Sequence, residues 1–317
     1  MASRIRADNE RIMITDRIDA TTEISGDFLK TVCPPPDSIK VSLDDRCQFQ
    51  CSFCSRKDAE ATGEMPWEMY AKLVQEMAEV GIKQLGLFYI GEPMLAKKLP
   101  DAIAYAKQMG IEYVFLTTNG ALAKREKVAT LMACGLDSLK FSFNYADGLQ
   151  LKQVAGVSPS NYARIVQNIK DAREVRDQGG YKCGIYASSI LFDGKQGEKM
   201  KAAVEQVKPY LDEHYWLPCF SFGGQTDFGT QVRGNPGRLD KMRDPLPCWA
   251  VFREGHITAA GDISACCFDT HERWVVGNLK TTTFMDAWNS KAMQQLRQAH
   301  LRKDVIGTAC EHCAVGS

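Results

Sequence analysis

From residue 38 to residue 222, short runs rich in β-branched and aromatic side chains alternate with longer stretches whose apolar positions recur every three to four residues. A period of two alternating with a period near 3.6 marks βα units arranged around a parallel sheet. Six strands are expected, at 39–43, 84–90, 113–117, 138–143, 184–191 and 215–222. The first helix is expected from Met65-Pro66, with proline early in the helix and Trp67, Tyr70, Leu73, Val74 and Met77 on one face. Others are expected near 97–109, 122–134, 160–178 and 196–211, with Gly110, Gly135 and Gly179 closing three of them.

The pattern has two interruptions. Residues 1–37 are weakly patterned and end near Cys33-Pro34-Pro35-Pro36, which neither a helix nor a central strand can pass through. They read as an N-terminal extension. After the sixth strand, residues 223–247 carry five glycines and three prolines, so the alternation stops. The division expected is 1–37 extension, 38–235 main α/β domain and 236–317 small C-terminal domain, the last with one helix at 283–302.

Composition narrows the function class. Lysine plus arginine and aspartate plus glutamate both number 39 in 317 residues, which leaves no field to attract nucleic acid or anionic lipid. Apolar residues at 44% and charged residues at 25% match an ordinary globular chain. The polar first 25 residues lack a secretory core, and no apolar run is long enough to span a bilayer, so a cytoplasmic location is expected. Twelve cysteines are unusual in that setting, where clustered thiols serve as metal ligands or catalytic groups rather than disulfides.

Cys47, Cys51 and Cys54 form a C-x3-C-x2-C run directly after the first strand. Three thiolates on one short loop suit three irons of a [4Fe-4S] cluster and leave the fourth iron open, whereas structural zinc takes four ligands, commonly as two pairs. A second set comprises Cys248, Cys266 and the C-x2-C pair Cys310 and Cys313. By count, four thiolates suit a closed iron-sulfur cluster or a zinc ion equally well. Cys33, Cys134, Cys183 and Cys219 lie in or beside apolar segments and read as core residues, while Cys267 neighbours a candidate ligand. His214, His256, His271, His300 and His312 show no ligand spacing, and His300 reads as a solvated helix residue.

The cysteine loop, with Phe53 before its last cysteine and βα units downstream, resembles the radical S-adenosylmethionine (radical SAM) superfamily. The resemblance continues through Gly91-Glu92-Pro93 after strand two, where Ile90 replaces a family glycine, and Thr117-Thr118-Asn119-Gly120 after strand three. It extends to Ser142 and Asn144 at the end of strand four. It implies a partial (β/α)6 TIM-type barrel, with SAM bound by Gly91, Glu92, Pro93, Thr118, Asn119, Ser142 and Asn144. All lie at strand ends or in the loops after them, where ligands of parallel βα folds bind.

The tail, through Cys248-Trp249, Gly261-x4-Cys266, Gly277-Asn278, Ala287-Trp288-Asn289, Leu296-Arg297 and Cys310-x2-Cys313, resembles the SPASM/twitch domains of that superfamily. The chain ends four residues past Cys313, which points to the shorter twitch form. The resemblance implies one auxiliary [4Fe-4S] cluster on Cys248, Cys266, Cys310 and Cys313, and so two clusters in all.

The resemblance further implies reductive cleavage of SAM to a 5′-deoxyadenosyl radical that abstracts a C–H hydrogen, with an electron donor such as flavodoxin or ferredoxin. The pattern is similar to radical SAM dehydrogenases and epimerases of aminoglycoside biosynthesis. A sugar, amino-cyclitol or aminoglycoside is therefore the expected substrate, with Cys267 a candidate hydrogen-atom donor for epimerisation. Peptide modification is the alternative, disfavoured because about 37 residues cannot form a separate peptide-recognition module. A zinc-bound or redox-sensing scaffold without turnover is a third reading.

Overall fold

A computed structural model describes residues 13–58, 61–192, 194–219, 246–269 and 271–311. Six parallel strands run in chain order: β1 (Ser38–Val41), β2 (Gln84–Gly86), β3 (Tyr113–Thr118), β4 (Ser138–Ser142), β5 (Gly184–Ile190) and β6 (Glu213–Leu217). Each expected strand is present, but β2 is far shorter than its apolar run. From Leu87 onward the chain leaves the ladder for the turn at Gly91-Glu92-Pro93. The expected end of the sixth strand at 220–222 and the domain boundary at 236 lie outside the described residues.

The sheet is open and continues into the tail. β7 (Glu254–Ile257) pairs with β1 in parallel, and β8 (Asp262–Ser264) and β9 (Val275–Asn278) follow antiparallel. Among the described residues this gives one nine-stranded sheet, ordered β6-β5-β4-β3-β2-β1-β7-β8-β9. Side chains alternate between its faces. Ile39, Val41, Leu85, Val114, Leu139, Phe141 and Ile185 face the helical layer and are buried in the main core.

Ten helices of the described chain complete the fold. They are α1 (Ile14–Thr22), α2 (Trp67–Val80), α3 (Leu99–Gln108), α4 (Arg125–Ala133), α5 (Gly148–Ala155), α6 (Ser160–Gly179), α7 (Gly194–Val207), α8 (Ala250–Arg253), α9 (Phe284–Trp288) and α10 (Lys291–Leu301). In α2 the expected apolar stripe is buried through Tyr70, Leu73, Val74 and Met77, and Gly81 at φ 82° ends the helix. The left-handed residue after α6 is Gly180, not Gly179. The single helix expected at 283–302 is two, because the Ser290 hydroxyl accepts from the Met293 N–H and starts a new helix.

The N-terminal extension is part of the body. Ile14 on α1 packs against Tyr186 and Tyr215, and Thr15 bonds to the Glu213 carboxylate, so α1 covers the amino-terminal end of the sheet. Further on, Asn289 holds both the N–H and the C=O of Cys33 (2.9 and 3.0 Å), the Trp288 indole N–H donates to Pro34 O, and buried Arg297 donates to Thr31 O. The Trp-Asn and Arg positions noted in the tail thus serve as a clasp on residues 31–34.

Candidate active site

The cysteine loop leaves β1 through two buried carboxylates. Asp44 accepts from the Arg46 backbone N–H and guanidinium. Asp45 accepts from the N–H groups of Thr62 and Gly63, closing the loop on itself. α5, which the sequence pattern did not single out, holds the loop from outside: Gln50 N–H donates to Ala155 O and Ser52 N–H to Val154 O. Its signals were local, an Asp147 side chain capping the Gln150 N–H and Gly156 in the left-handed conformation beyond its end.

The three thiols are electrostatic neighbours. Burial pushes Cys47 above its ordinary pKa and Cys51 up to about 12, and the other two sulfurs add to the Cys51 rise. The Tyr145 hydroxyl lies 2.8 Å from Cys51 Sγ, and its ring is a neighbour of those of Phe49 and Phe53. Among the described residues no three His, Cys, Asp or Glu side chains converge as ligands of a single ion. A loop of neighbouring, half-buried thiols fits a polynuclear cluster, whose irons each take one thiolate; loading it requires each thiol to lose its proton.

The Gly91-Glu92-Pro93 turn is set by backbone space. Gly91 has φ +86°, and a Cβ there would meet Asp45 C, Arg46 O and Asp44 O at 2.6 to 2.8 Å. Ile90, the departure from the family pattern, is fixed at both its N–H and C=O by Ser42 Oγ on the chain after β1. Glu92 is 2% exposed. Its carboxylate accepts from Thr118 Oγ1 (2.6 Å), Asn119 N–H (2.8 Å) and Met94 N–H (3.1 Å). Burial still raises its pKa. Glu92 and Thr118 therefore bond to each other, and what the turn offers a ligand is backbone. Asn119 reaches the cysteine loop, with Nδ2 3.9 Å from Cys47 Sγ and Oδ1 accepting from Gln48 Nε2. Ser142 ends β4, and Asn144 accepts from the Ile190 N–H after it. Cysteine loop, turn and strand ends are thus gathered at the carboxyl edge of the sheet, as expected of such folds.

The tail cysteines also meet. Burial and the charges of Cys248 and Cys310 push Cys266 up, with the adjacent Cys267 thiol contributing most. His300 stands between two of them. The Cys248 N–H donates to its Nδ1 (3.1 Å), which leaves the proton on Nε2, 3.3 Å from Cys310 Sγ. His300 is 1% exposed, which corrects the solvated role expected for it. Cys313 lies outside the described residues, as does His312.

Sequence reasoning also missed a buried network between the two regions. Lys40 pairs with Glu254 at 2.7 Å, and the same carboxylate oxygen lies 2.9 Å from His256 Nε2. Burial alone would raise Glu254, but Lys40 and His256 hold it down at about 2. Cys267 is the next member, held below an ordinary thiol by Cys266 and then by His256 and Lys40. Tyr89, two residues before Gly91, shares its hydroxyl proton between Cys266 O and Asp269 O, with its ring 5.4 Å from that of His256. Lys40, Glu254 and His256 have no spacing signature; they are brought together by β1 pairing in register with β7.

Comparison with known proteins identifies two domains in the chain. The sequence profile of the radical SAM superfamily matches residues 41–207, and that of the SPASM iron-sulfur cluster-binding domain matches 248–314. A probable GTP 3′,8-cyclase of Methanosarcina mazei is 25% identical over 178 residues, 54% of this chain and 51% of that protein. The PqqA peptide cyclase of Xanthomonas euvesicatoria is 34% identical over 128 residues, 40% of this chain and 34% of that one. The chain thus spans between a third and a half of these relatives' length. SuiB of Streptococcus suis, in a structure bound to precursor peptide SuiA, superposes with a TM-score of 0.68 at 15% identity, over 90% of this chain and 71% of that one. At that identity the likeness concerns fold alone.

Proposed function

The chain belongs to the radical SAM superfamily and carries a SPASM domain, a pairing that implies SAM and two iron-sulfur clusters, and from this premise we propose that it modifies a peptide. The observation that carries the reading is the 34% identity to a PqqA peptide cyclase, higher than to the GTP cyclase. This replaces the sugar or amino-cyclitol substrate as the preferred class.

Cys47, Cys51 and Cys54 would hold the first cluster; Cys248, Cys266, Cys310 and Cys313 the auxiliary one. SAM would lie along Gly91 to Pro93, Thr118, Asn119, Ser142 and Asn144. When bound, cluster and SAM supply one-electron cleavage and a radical able to take hydrogen from an unactivated C–H bond. The protein's share is shape and exclusion of water. Gly91 lets the turn approach the cysteine loop, and buried Glu92 ties that turn to Thr118 and Asn119. Tyr145 presents a hydroxyl to Cys51. His300 directs an N–H at Cys310.

The test is anaerobic reconstitution, iron and sulfide counting, then incubation with SAM, reductant and either candidate precursor peptides or aminoglycosides. About eight irons per chain are expected from two cubane clusters, with 5′-deoxyadenosine formed only when peptide is present and the peptide mass reduced by two hydrogens. Dependence on an aminoglycoside would restore the sugar reading. Zinc with little iron would overturn both.

A further inference from the structure

Below the cysteine loop, the inner face of the sheet encloses a second polar feature that the cluster and SAM residues do not use. A cavity of about 140 Å³ lies between α1 and the inward side chains of β1, β3 and β4. Its charged lining is Arg17, Lys40, Lys140 and Glu254. Lys40 is paired with Glu254. The other two cations have no carboxylate within ion-pair distance among the described residues: Arg17 stacks on the Tyr113 ring at 3.8 Å, and Lys140 reaches only the Tyr215 hydroxyl at 3.0 Å. The nearby Glu213 carboxylate is bonded to Thr15.

We propose that this cavity is a carboxylate-binding subsite, in which Lys140 and Arg17 receive an acidic group of the substrate. Two half-buried cations facing one cavity leave a charge that an anion would complete, and hydrogen bonds to charged partners are the strong ones. The cavity has room for the end of an acidic side chain. Phe115 and Tyr113 supply apolar walls for the methylene arm. Position links the subsite to the chemistry. Ser142 is the next inward residue after Lys140 on β4, about 7 Å along the strand at 3.3 Å per residue, so a group anchored at Lys140 can extend toward the carboxyl edge. The assignment of the bound acid as substrate rests on the proposed function; the binding itself does not.

The test is calorimetric titration of the full-length, cluster-reconstituted protein with glutarate, with N-acetylglutamate N-methylamide as a peptide-borne carboxylate, and with neutral glutaramide. Both carboxylates should bind, and glutaramide at least about tenfold more weakly, since a hydrogen bond to a charged group contributes about 1.5–3 kcal/mol. Lys140→Gln and Arg17→Gln should each weaken carboxylate binding about tenfold or more, and Lys140→Arg should retain it. Arg17 sits on a different element from Lys140, so its variant decides the matter even where the Lys140 variant fails to fold. Absence of carboxylate binding to the wild type, or affinity unchanged in Arg17→Gln, overturns the subsite. The wild-type 5′-deoxyadenosine assay, run separately, tells its failure apart from that of the radical reading.

Discussion

At the scale of single residues, the site is shaped by groups that never appear in a motif. Tyr145 is the clearest: its hydroxyl is buried against Cys51, and both groups sit far above their ordinary pKa through burial. Were Cys51 to hold an iron, this O–H would be placed to donate to its sulfur, and hydrogen bonds to cluster sulfurs are among the controls on reduction potential. Tyr145→Phe removes the donor while keeping the ring against Phe49 and Phe53. The midpoint potential of the first cluster should move to a more negative value, read by an EPR-monitored redox titration; an unchanged midpoint would show that the bond does not act on the metal. Cys47, Cys51 and Cys54 were legible because three thiols within eight residues on one loop form a recognisable spacing. His300 was not, because one histidine on an amphipathic helix carries no spacing, and only packing against Cys248 and Cys310 shows which face is buried.

At the scale of elements, strand order and helix periodicity were readable because burial on both faces of β5, or along the stripe of α2, writes itself directly into residue type. Short elements were not. α1 and α5 have nine and eight residues and depend on caps and tertiary contacts more than on periodicity. The β4-β5-β6 end shows how elements are tied by polar groups. Ser189 Oγ donates to Phe143 O at 2.5 Å, so it accepts from His214 Nε2 at 2.9 Å. Burial lowers the His214 pKa to about 4, and likewise that of His300. A histidine held neutral in the fold takes up its proton more readily when unfolded. Its contribution is therefore complete above pH 6.5 and is lost as pH falls from 6.5 toward 4. Burial would lower His256 too, but Cys267 and Glu254 hold it above its ordinary pKa, so it acts in the opposite direction. Between pH 7.5 and pH 5 the urea midpoint of His214→Gln should therefore decline less, or rise more, than that of the wild type. An identical pH dependence in the variant and the wild type would contradict the neutral assignment of His214.

At the scale of the whole molecule, what the sequence presents as three consecutive segments is one body. Arg297 is the point where they meet: it is fully buried, lies 4.2 Å over Trp288, and donates to Thr31 O, Val251 O and Asn289 Oδ1. Arg297→Met keeps much of the volume but removes the donor from Thr31 O and Val251 O, at about 1–3 kcal/mol each, while Asn289 Oδ1 keeps the Cys33 N–H. Stability should fall by about 2 kcal/mol or more by urea denaturation, with new proteolytic cleavage near residues 23–33. A loss below about 1 kcal/mol would mean that the clasp is redundant. The length of the N-terminal segment argued against a peptide substrate on the assumption that recognition needs a separate module; instead that segment lines the cavity and fastens the tail.

The pairing of β7 with β1 has a consequence for recombination. Ser38 to Val41 align in register with Glu254 to Ile257, and Lys40 and Glu254 recognise each other across that seam. A crossover between homologues placed anywhere from 42 to 253 would bring β1 from one parent beside β7 from the other, however natural the break looks in the sequence. Functional chimeras should therefore inherit 38–41 and 254–257 as a single block, as two halves of one hereditary unit lying more than two hundred residues apart.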